Sequence, residues 1–384
     1  MPSDSDYILR AIALAQSARG RVEPNPMVGC VIVKNNQIIG EGCHQQYGGP
    51  HAEPTALAAC SESPAGTTAY VTLEPCCHLN KQTPPCAPRL IQAGISRVVF
   101  GCFDPNPDVN GKGIAMLRQA GVAVDGPVHE DKVRQLIAPF IARTVHGRPY
   151  VTLKWAQTAD GFVAGPGRKP IRITGDAANR GVHALRARCD AIAVGTNTVI
   201  NDDPLLTARG VRDGEPNRPV LRIVLSNSLN VPATSRLVMT AHEHPVIVFC
   251  SQSIAHENAD RVKALIDAGV TVVPLHAPLD GRFAFESALT FLAKVKGVSH
   301  LLVEPGPTLA TALLSNKHVD RVWVFRSKNR LDEDGYPAPK ISYPASGSAT
   351  LGDDELTEYL NPISDAFFAN EESADLKIAR RSPP

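Results

Sequence analysis

His51-Ala52-Glu53, Glu74-Pro75-Cys76 and Thr83-Pro84-Pro85-Cys86 are three short runs that a metal site would join. Pro54 is tolerated only in the first turn of a helix, so a helix is expected to begin near His51 and to run on through Ala56, Leu57 and Ala59. Thr68–Leu73 reads as a strand that delivers Glu74-Pro75-Cys76 at its end. One histidine and two cysteines give three zinc ligands, leaving the fourth tetrahedral position to a water whose pKa falls towards about 7. Glu53 lies just past His51, close enough to carry a proton between that water and a leaving group. Cys77 or His78 could close the site as a fourth, structural ligand, but a closed site has no use for the His-Ala-Glu triplet.

Hydrolytic zinc deaminases carry such a histidine, glutamate and cysteine set, usually with the second cysteine three residues after the first. Here position 79 is leucine, so Cys86 must serve as the second cysteine ligand across a longer loop. The expected activity is deamination of a nucleotide-like aminopyrimidine. Cys30, Cys43, Cys60, Cys102, Cys189 and Cys250 are read as packed thiols.

The rest of the composition narrows the class. With 384 residues the chain exceeds what one core usually organises, so two domains are expected. Its 39 basic and 38 acidic side chains leave no excess charge to hold a nucleic-acid backbone or an anionic membrane. A small-molecule substrate fits better, with neither nucleic acid nor membrane as partner; a homo-oligomer is left open. Nine cysteines, no secretory pattern after Met1 and no run of membrane-spanning length suggest a cytoplasmic protein without a disulfide framework.

Ser5 or Asp6 is expected to cap a first helix ending at Gly20, and Asn35-Asn36 a tight hairpin between Val28–Val33 and Gln37–Gly42. A helix over Ala87–Ala93 and a strand over Arg97–Gly101 complete a three-layer α/β domain, and Asp131–Arg143 reads as one helix. The turn residues of Thr144–Pro149 place a boundary there, giving domains 1–147 and 148–384. Strands follow near Val151–Trp155, Ala191–Gly195, Arg222–Leu225, Val246–Cys250, Val270–Pro274, Leu301–Val303 and Arg321–Phe325. Over 328–384 the pattern weakens, leaving either a long loop with a final edge strand at Asp375–Ala379 or a partly disordered region. Val303-Glu-Pro-Gly-Pro-Thr308 is a glycine-containing strand-to-helix turn of the kind that can receive a phosphate.

Pro24-Asn-Pro-Met-Val-Gly-Cys30, Gly40-Glu-Gly-Cys-His44, His51-Ala-Glu53, Glu74-Pro-Cys-Cys-His78, Thr83-Pro-Pro-Cys86 and Asp104-Pro-Asn-Pro107 together resemble the bifunctional deaminase–reductases of riboflavin biosynthesis. The stretch from His78 to Cys86 is one residue longer than that family's usual run and lacks its glycine. The resemblance implies a cytidine-deaminase-like first domain that hydrolyses the 2-amino group of 2,5-diamino-6-ribosylamino-4(3H)-pyrimidinone 5′-phosphate. It implies that Asn25, His44, His78, Lys81 and Asn106 hold the substrate.

Lys154–Gly161, Ile173-Thr-Gly175, Leu185-Arg-Ala187, Gly195–Val199, Asp202–Thr207 and Glu304–Thr308 resemble the reductase half of the same family in order and spacing. That half has a dihydrofolate-reductase-like α/β fold and uses NADPH to reduce a ribosyl group to ribityl. On matching positions Ala156, Thr198, Asp202 and Gly306-Pro307-Thr308-Leu309-Ala310-Thr311-Ala312 contact the cofactor. Arg186, Leu206, Arg209 and Glu304 contact the substrate, the arginines as a fork for its phosphate, and Lys154 assists at the reacting carbon. Arg172 replaces the family's usual tryptophan and is read as meeting a cofactor phosphate; Asn227 stands where a serine is usual. A deaminase with a degenerate, inactive reductase-like domain is the alternative.

Overall fold

The computed structural model describes residues 1–78, 84–210, 220–276, 283–332 and 334–364. The chain divides into two compact units, Met1–His146 and Gly147–Pro384. Among the described residues no helix is long and apolar enough to cross a membrane.

The first unit is built on strands β1 (Gly29–Lys34), β2 (Gln37–Cys43), β3 (Thr68–Leu73), β4 (Arg97–Cys102) and β5 (Ala123–Asp125), in the order β2-β1-β3-β4-β5. β1 runs antiparallel to β2 and β3, and β3, β4 and β5 are parallel. Asn35 and Asn36, at φ 50° and 62°, make the hairpin, since asparagine tolerates the left-handed conformation such a turn requires. Alternation along the strands sorts two cores. Val31, Val33, Tyr70 and Val99 face helix Asp4–Ser17 and the helices of 130–146; Cys30, Ile32, Val71 and Phe100 face helices Ala52–Ala58, Cys86–Gln92 and Lys112–Gln119. This is the expected three-layer arrangement.

Two helices differ from the sequence reading, and the first ends at Ser17 rather than at Gly20. Ser3, rather than Ser5 or Asp6, caps the first helix in a capping box with Asp6. The helix expected over Asp131–Arg143 breaks at Ile137 into Glu130–Leu136 and Ala138–His146. Pro139 explains the break, because a prolyl ring has room only in a helix's first turn.

The second unit contains β6 (Tyr150–Gln157), β7 (Phe162–Ala164), β8 (Ala191–Gly195), β9 (Leu221–Leu225), β10 (Val246–Ser251), β11 (Thr271–Leu275), β12 (His300–Val303), β13 (Arg321–Arg326), β14 (Tyr336–Pro337), β15 (Ala345–Leu351) and β16 (Asp354–Leu360). Nine of them form one sheet, β11-β10-β9-β8-β12-β6-β13-β16-β15, parallel from β11 to β13 and closed by an antiparallel hairpin. β7 and β14 pair in a separate two-stranded ribbon. Helices Phe285–Val295 and Pro307–Ser315 pack on one face and Asp176–Arg186 on the other. β12 enters between β8 and β6 after the chain has wound outward to β11, so the carboxyl ends of β8, β12 and β6 flank a topological crevice.

The hairpin β15–β16 is absent from the sequence reading, and the edge strand expected at Asp375–Ala379 lies outside the described residues. In β16 the alternate residues Asp354, Leu356, Glu358 and Leu360 are all buried, but two of them are acidic. Glu358 accepts from Trp323 Nε1 at 2.9 Å and Ser346 Oγ at 2.8 Å, and Asp354 from the Gly175 N–H at 2.7 Å. These bonds let carboxylates occupy positions where a pattern reading seeks apolar side chains.

Candidate active sites

In the first unit, β3 delivers Cys76 just beyond its end, while His51 is the N-cap of helix Ala52–Ala58 and Cys86 the first residue of helix Cys86–Gln92. Two helix N-termini therefore meet one strand end. His51 Nδ1 lies 3.3 Å from Cys86 Sγ and 3.5 Å from Cys76 Sγ, and the three ligand atoms fall within 4.8 Å of one another. Neighbouring ligands of a tetrahedral zinc, with Zn–S about 2.3 Å and Zn–N about 2.0–2.1 Å, stand roughly 3.5–3.8 Å apart. The donor set and its spacing fit zinc. A hydrogen bond with Cys86, opposed by burial and reinforced by His51, holds the Cys76 thiol below its ordinary range.

Glu53, only 3% exposed, stands in the first turn of the helix that His51 caps. Burial, then the charge on Cys76, pushes its carboxyl up to about 7. Such a group exchanges a proton readily near neutrality.

The loop beside the ligands is pinned by Glu74. Its buried carboxylate accepts from the N–H groups of Gly111 (2.8 Å), Gly113 (2.9 Å), Ile114 (3.2 Å) and Asp104 (3.3 Å). A Cβ on Gly113 would lie 1.9 Å from the Pro75 carbonyl oxygen, so this close approach requires glycine. The motif Glu74-Pro75-Cys76 carries no sign of this role, because the N–H groups that meet Glu74 come from residues thirty or more positions away.

His44 is buried, and its Nδ1 faces the Pro50 carbonyl at 2.8 Å. A carbonyl only accepts, so Nδ1 carries the proton and Nε2 accepts from Asn25 Nδ2 at 3.1 Å. The His44 ring meets His51 edge-on at 5.6 Å between centroids, which brings Asn25 and His44 to the metal cluster. Asn106 accepts the Asp108 N–H at 3.0 Å and donates its own N–H to Asp104 at 2.8 Å, so it shapes a turn. His78 is half-buried two residues after Cys76; Lys81 lies outside the described residues.

In the second unit a cavity of about 780 Å³ opens at the carboxyl end of the parallel strands. Lys154 and Ala156 of β6, Thr198 and Asp202 of the helix after β8, and Glu304 after β12 line it. Gly306, Pro307, Thr308, Leu309 and Ala312 supply a further wall. Parallel pairing of Val303 with Leu153 sets Glu304 alongside Lys154. Burial pulls the Lys154 ammonium below its ordinary range against the attraction of Glu304. Burial favours a neutral Glu304, yet Arg186 and Lys154 together outweigh it and hold the carboxyl at about 2.

Other positions expected in this site fall elsewhere. Arg186 donates to Glu304 and to the Thr207 carbonyl. Leu206, 2% exposed, packs into the core on the helix Asp176–Arg186 side, and Arg209 is exposed with its N–H on His183 Nδ1. Arg172 pairs with Asp176 at 2.7 Å on the surface and does not line the cavity. Ala310 packs into the core, and Thr311 is exposed with its hydroxyl donating to the Pro307 carbonyl. The reading missed the wall made by the β7–β14 ribbon, where Arg168, Ile171, Tyr336 and Pro339 line the cavity.

Residues 1–102 match the family model of the cytidine and deoxycytidylate deaminase zinc-binding region, and residues 149–327 match the RibD C-terminal domain. The riboflavin biosynthesis protein RibD of Aquifex aeolicus is 40% identical over 322 residues, covering 84% of this chain and 86% of its own. That of Escherichia coli is 38% identical over 340 residues, covering 86% and 89%. The chain belongs to the RibD family. Among solved structures, Acinetobacter baumannii RibD superposes with a TM-score of 0.83 at 32% identity, covering 93% of this chain and 98% of that one. A diaminohydroxyphosphoribosylaminopyrimidine deaminase/5-amino-6-(5-phosphoribosylamino)uracil reductase of Thermotoga maritima gives 0.80 at 31%, with the same coverage.

As a RibD-family enzyme of riboflavin biosynthesis the chain is bifunctional, a zinc-dependent deaminase in its first unit and an NADPH-dependent reductase in its second. Nothing supports an inactive reductase: the RibD C-terminal match runs through Arg172 and Asn227, and the cavity is formed. Of the departures from the RibD pattern, Arg172 lies on the surface, the described chain after 327 adds strands that complete the sheet, and Asn227 lines the cavity.

Proposed function

We propose that residues 1–147 convert 2,5-diamino-6-ribosylamino-4(3H)-pyrimidinone 5′-phosphate to the corresponding uracil, and that residues 148–384 reduce its ribosyl group to ribityl. The buried Glu53 beside the His51, Cys76 and Cys86 cluster carries this reading. Zinc held by those three residues supplies the Lewis acidity that makes water nucleophilic at neutral pH. Glu53 takes a proton from the attacking water and returns it to the 2-amino nitrogen, which leaves as ammonia while the ring carbon gains an oxygen. Asn25 and His44, bonded to each other beside the metal ligands, orient the ring; His78, Lys81 and Asn106 are assigned to the same substrate.

In the reductase, Ala156, Thr198, Asp202, Gly306, Pro307, Thr308, Leu309 and Ala312 would hold NADPH, which would supply the hydride that C1′ takes up. Lys154 delivers the balancing proton to the ribose ring oxygen as the ring opens, and Glu304 holds Lys154 in place. A cytoplasmic location is the reading that use of a phosphorylated substrate and NADPH supports. Incubating the zinc-loaded protein with the diaminopyrimidine phosphate alone tests the deaminase half: stoichiometric ammonia and the uracil are expected, and no ammonia refutes it.

A further inference from the structure

The reductase cavity receives two phosphorylated ligands, yet Arg186 and Arg172 are committed to carboxylates. Of the described residues that line the cavity, the cations are Lys154 and Arg168, and Lys154 faces Glu304. Arg168 lies in the turn that follows β7, at φ 64°, a left-handed conformation that a non-glycine residue adopts at a cost. Hydrogen bonds from the Arg168 N–H to the Gly165 carbonyl (3.1 Å) and from the Gly165 N–H to the Lys169 carbonyl (2.9 Å) hold that turn. The guanidinium sits over the Tyr336 ring, 4.5 Å from its centroid, and its Nη2 donates to the Tyr336 hydroxyl at 3.1 Å. Tyr336 itself lines the cavity from β14, the strand that pairs with β7. A strained arginine backbone and an aromatic support thus place an exposed guanidinium on the cavity wall, where its remaining N–H groups suit phosphate oxygens.

We propose that Arg168, presented by Tyr336, binds a phosphate monoester in the reductase cavity, either the 2′-phosphate of NADPH or the 5′-phosphate of the uracil substrate. The inference rests on the reductase reading of the cavity. Both sources share one chemistry, a dianion at the end of a ribose, and a test with two arms separates them. One arm titrates the full-length wild type, R168A, R168K and R168G with NADPH and with NADH. The other titrates them with 5-amino-6-(5-phosphoribosylamino)uracil and with its dephosphorylated form.

R168G matters because glycine accepts φ 64° without strain, so it removes the guanidinium while keeping the turn. In R168A and R168G the preference for the phosphorylated member of one pair falls about tenfold, the scale of a charge-assisted hydrogen bond. R168K retains part of that preference, and Y336A reduces it by loosening the arginine's support. Loss in the NADPH/NADH pair assigns the cofactor phosphate, and loss in the other assigns the substrate phosphate. If the wild type binds all four ligands and both ratios stay unchanged in R168A and R168G, the inference is overturned while the reductase reading stands. If the wild type binds none of them, both fall.

Discussion

Arg186 and Glu304 are joined by two parallel hydrogen bonds, Nε to Oε1 at 2.6 Å and Nη2 to Oε2 at 2.9 Å, with both side chains nearly buried. The guanidinium that the sequence offers to a phosphate meets a carboxylate, and it holds Glu304 ionised beside Lys154. Removing one partner of such a pair strands the other charge, at about 3 kcal/mol or more. Arg186→Ala is expected to destabilise the second unit by that order and to lower reduction more than NADPH binding. Both tryptophans, Trp155 and Trp323, lie in the second unit, so urea unfolding followed by their fluorescence reports on that unit alone. An unchanged midpoint would show that the pair contributes nothing.

The same pair sets a pH dependence. Glu304 is held at about 2 against an ordinary 4.5, so its contribution is complete above about pH 4.5 and is lost as pH falls towards 2. Glu304→Gln cannot titrate and lacks this share of the acid sensitivity. Tryptophan-monitored stability should fall less steeply between pH 4.5 and 2 in the variant than in the wild type; equal slopes would remove Glu304 from the account.

For the metal cluster, Cys86→Ser is expected to lose zinc and Cys77→Ser to keep it, because Cys86 Sγ lies 3.3 Å from His51 Nδ1 and Cys77 is outside the cluster. Metal content of the two purified variants decides this. Retention in the first with loss in the second would reassign the ligand.

Glu53→Gln keeps the shape of the side chain and removes its proton exchange. Zinc content and fold should persist while deamination falls a hundredfold or more. Near-normal turnover by the zinc-loaded variant would exclude Glu53 as the proton carrier.

How much of this was legible in the sequence follows from the kind of signal each residue carries. His51, Glu53, Cys76 and Cys86 could be read because zinc chemistry demands particular residue types near particular element ends, and the cluster at 4.8 Å contains the same three ligands. The parallel strands of the second unit could be read because their apolar runs are continuous. Hairpin β15–β16 could not, since buried Asp354 and Glu358 break its pattern and owe their burial to donors far off in sequence, the Gly175 N–H at a helix start and the Trp323 indole on β13. The partner of Arg186 was hidden for a related reason: a sequence shows a guanidinium but not the carboxylate that meets it across the fold. Arg168 gave no signal at all, because Tyr336 is brought to it by the pairing of β7 with β14.

The central claim is that one chain performs deamination and then reduction. Its most direct test is product analysis by mass spectrometry after incubating the zinc-loaded protein with 2,5-diamino-6-ribosylamino-4(3H)-pyrimidinone 5′-phosphate, with and without NADPH. The uracil alone is expected without NADPH, and the ribityl product with matching NADPH oxidation when it is present. Chelator-treated protein should make neither from the diaminopyrimidine, yet should still reduce supplied 5-amino-6-(5-phosphoribosylamino)uracil. Normal deamination with neither NADPH oxidation nor ribityl product, even from the supplied uracil, would contradict the account.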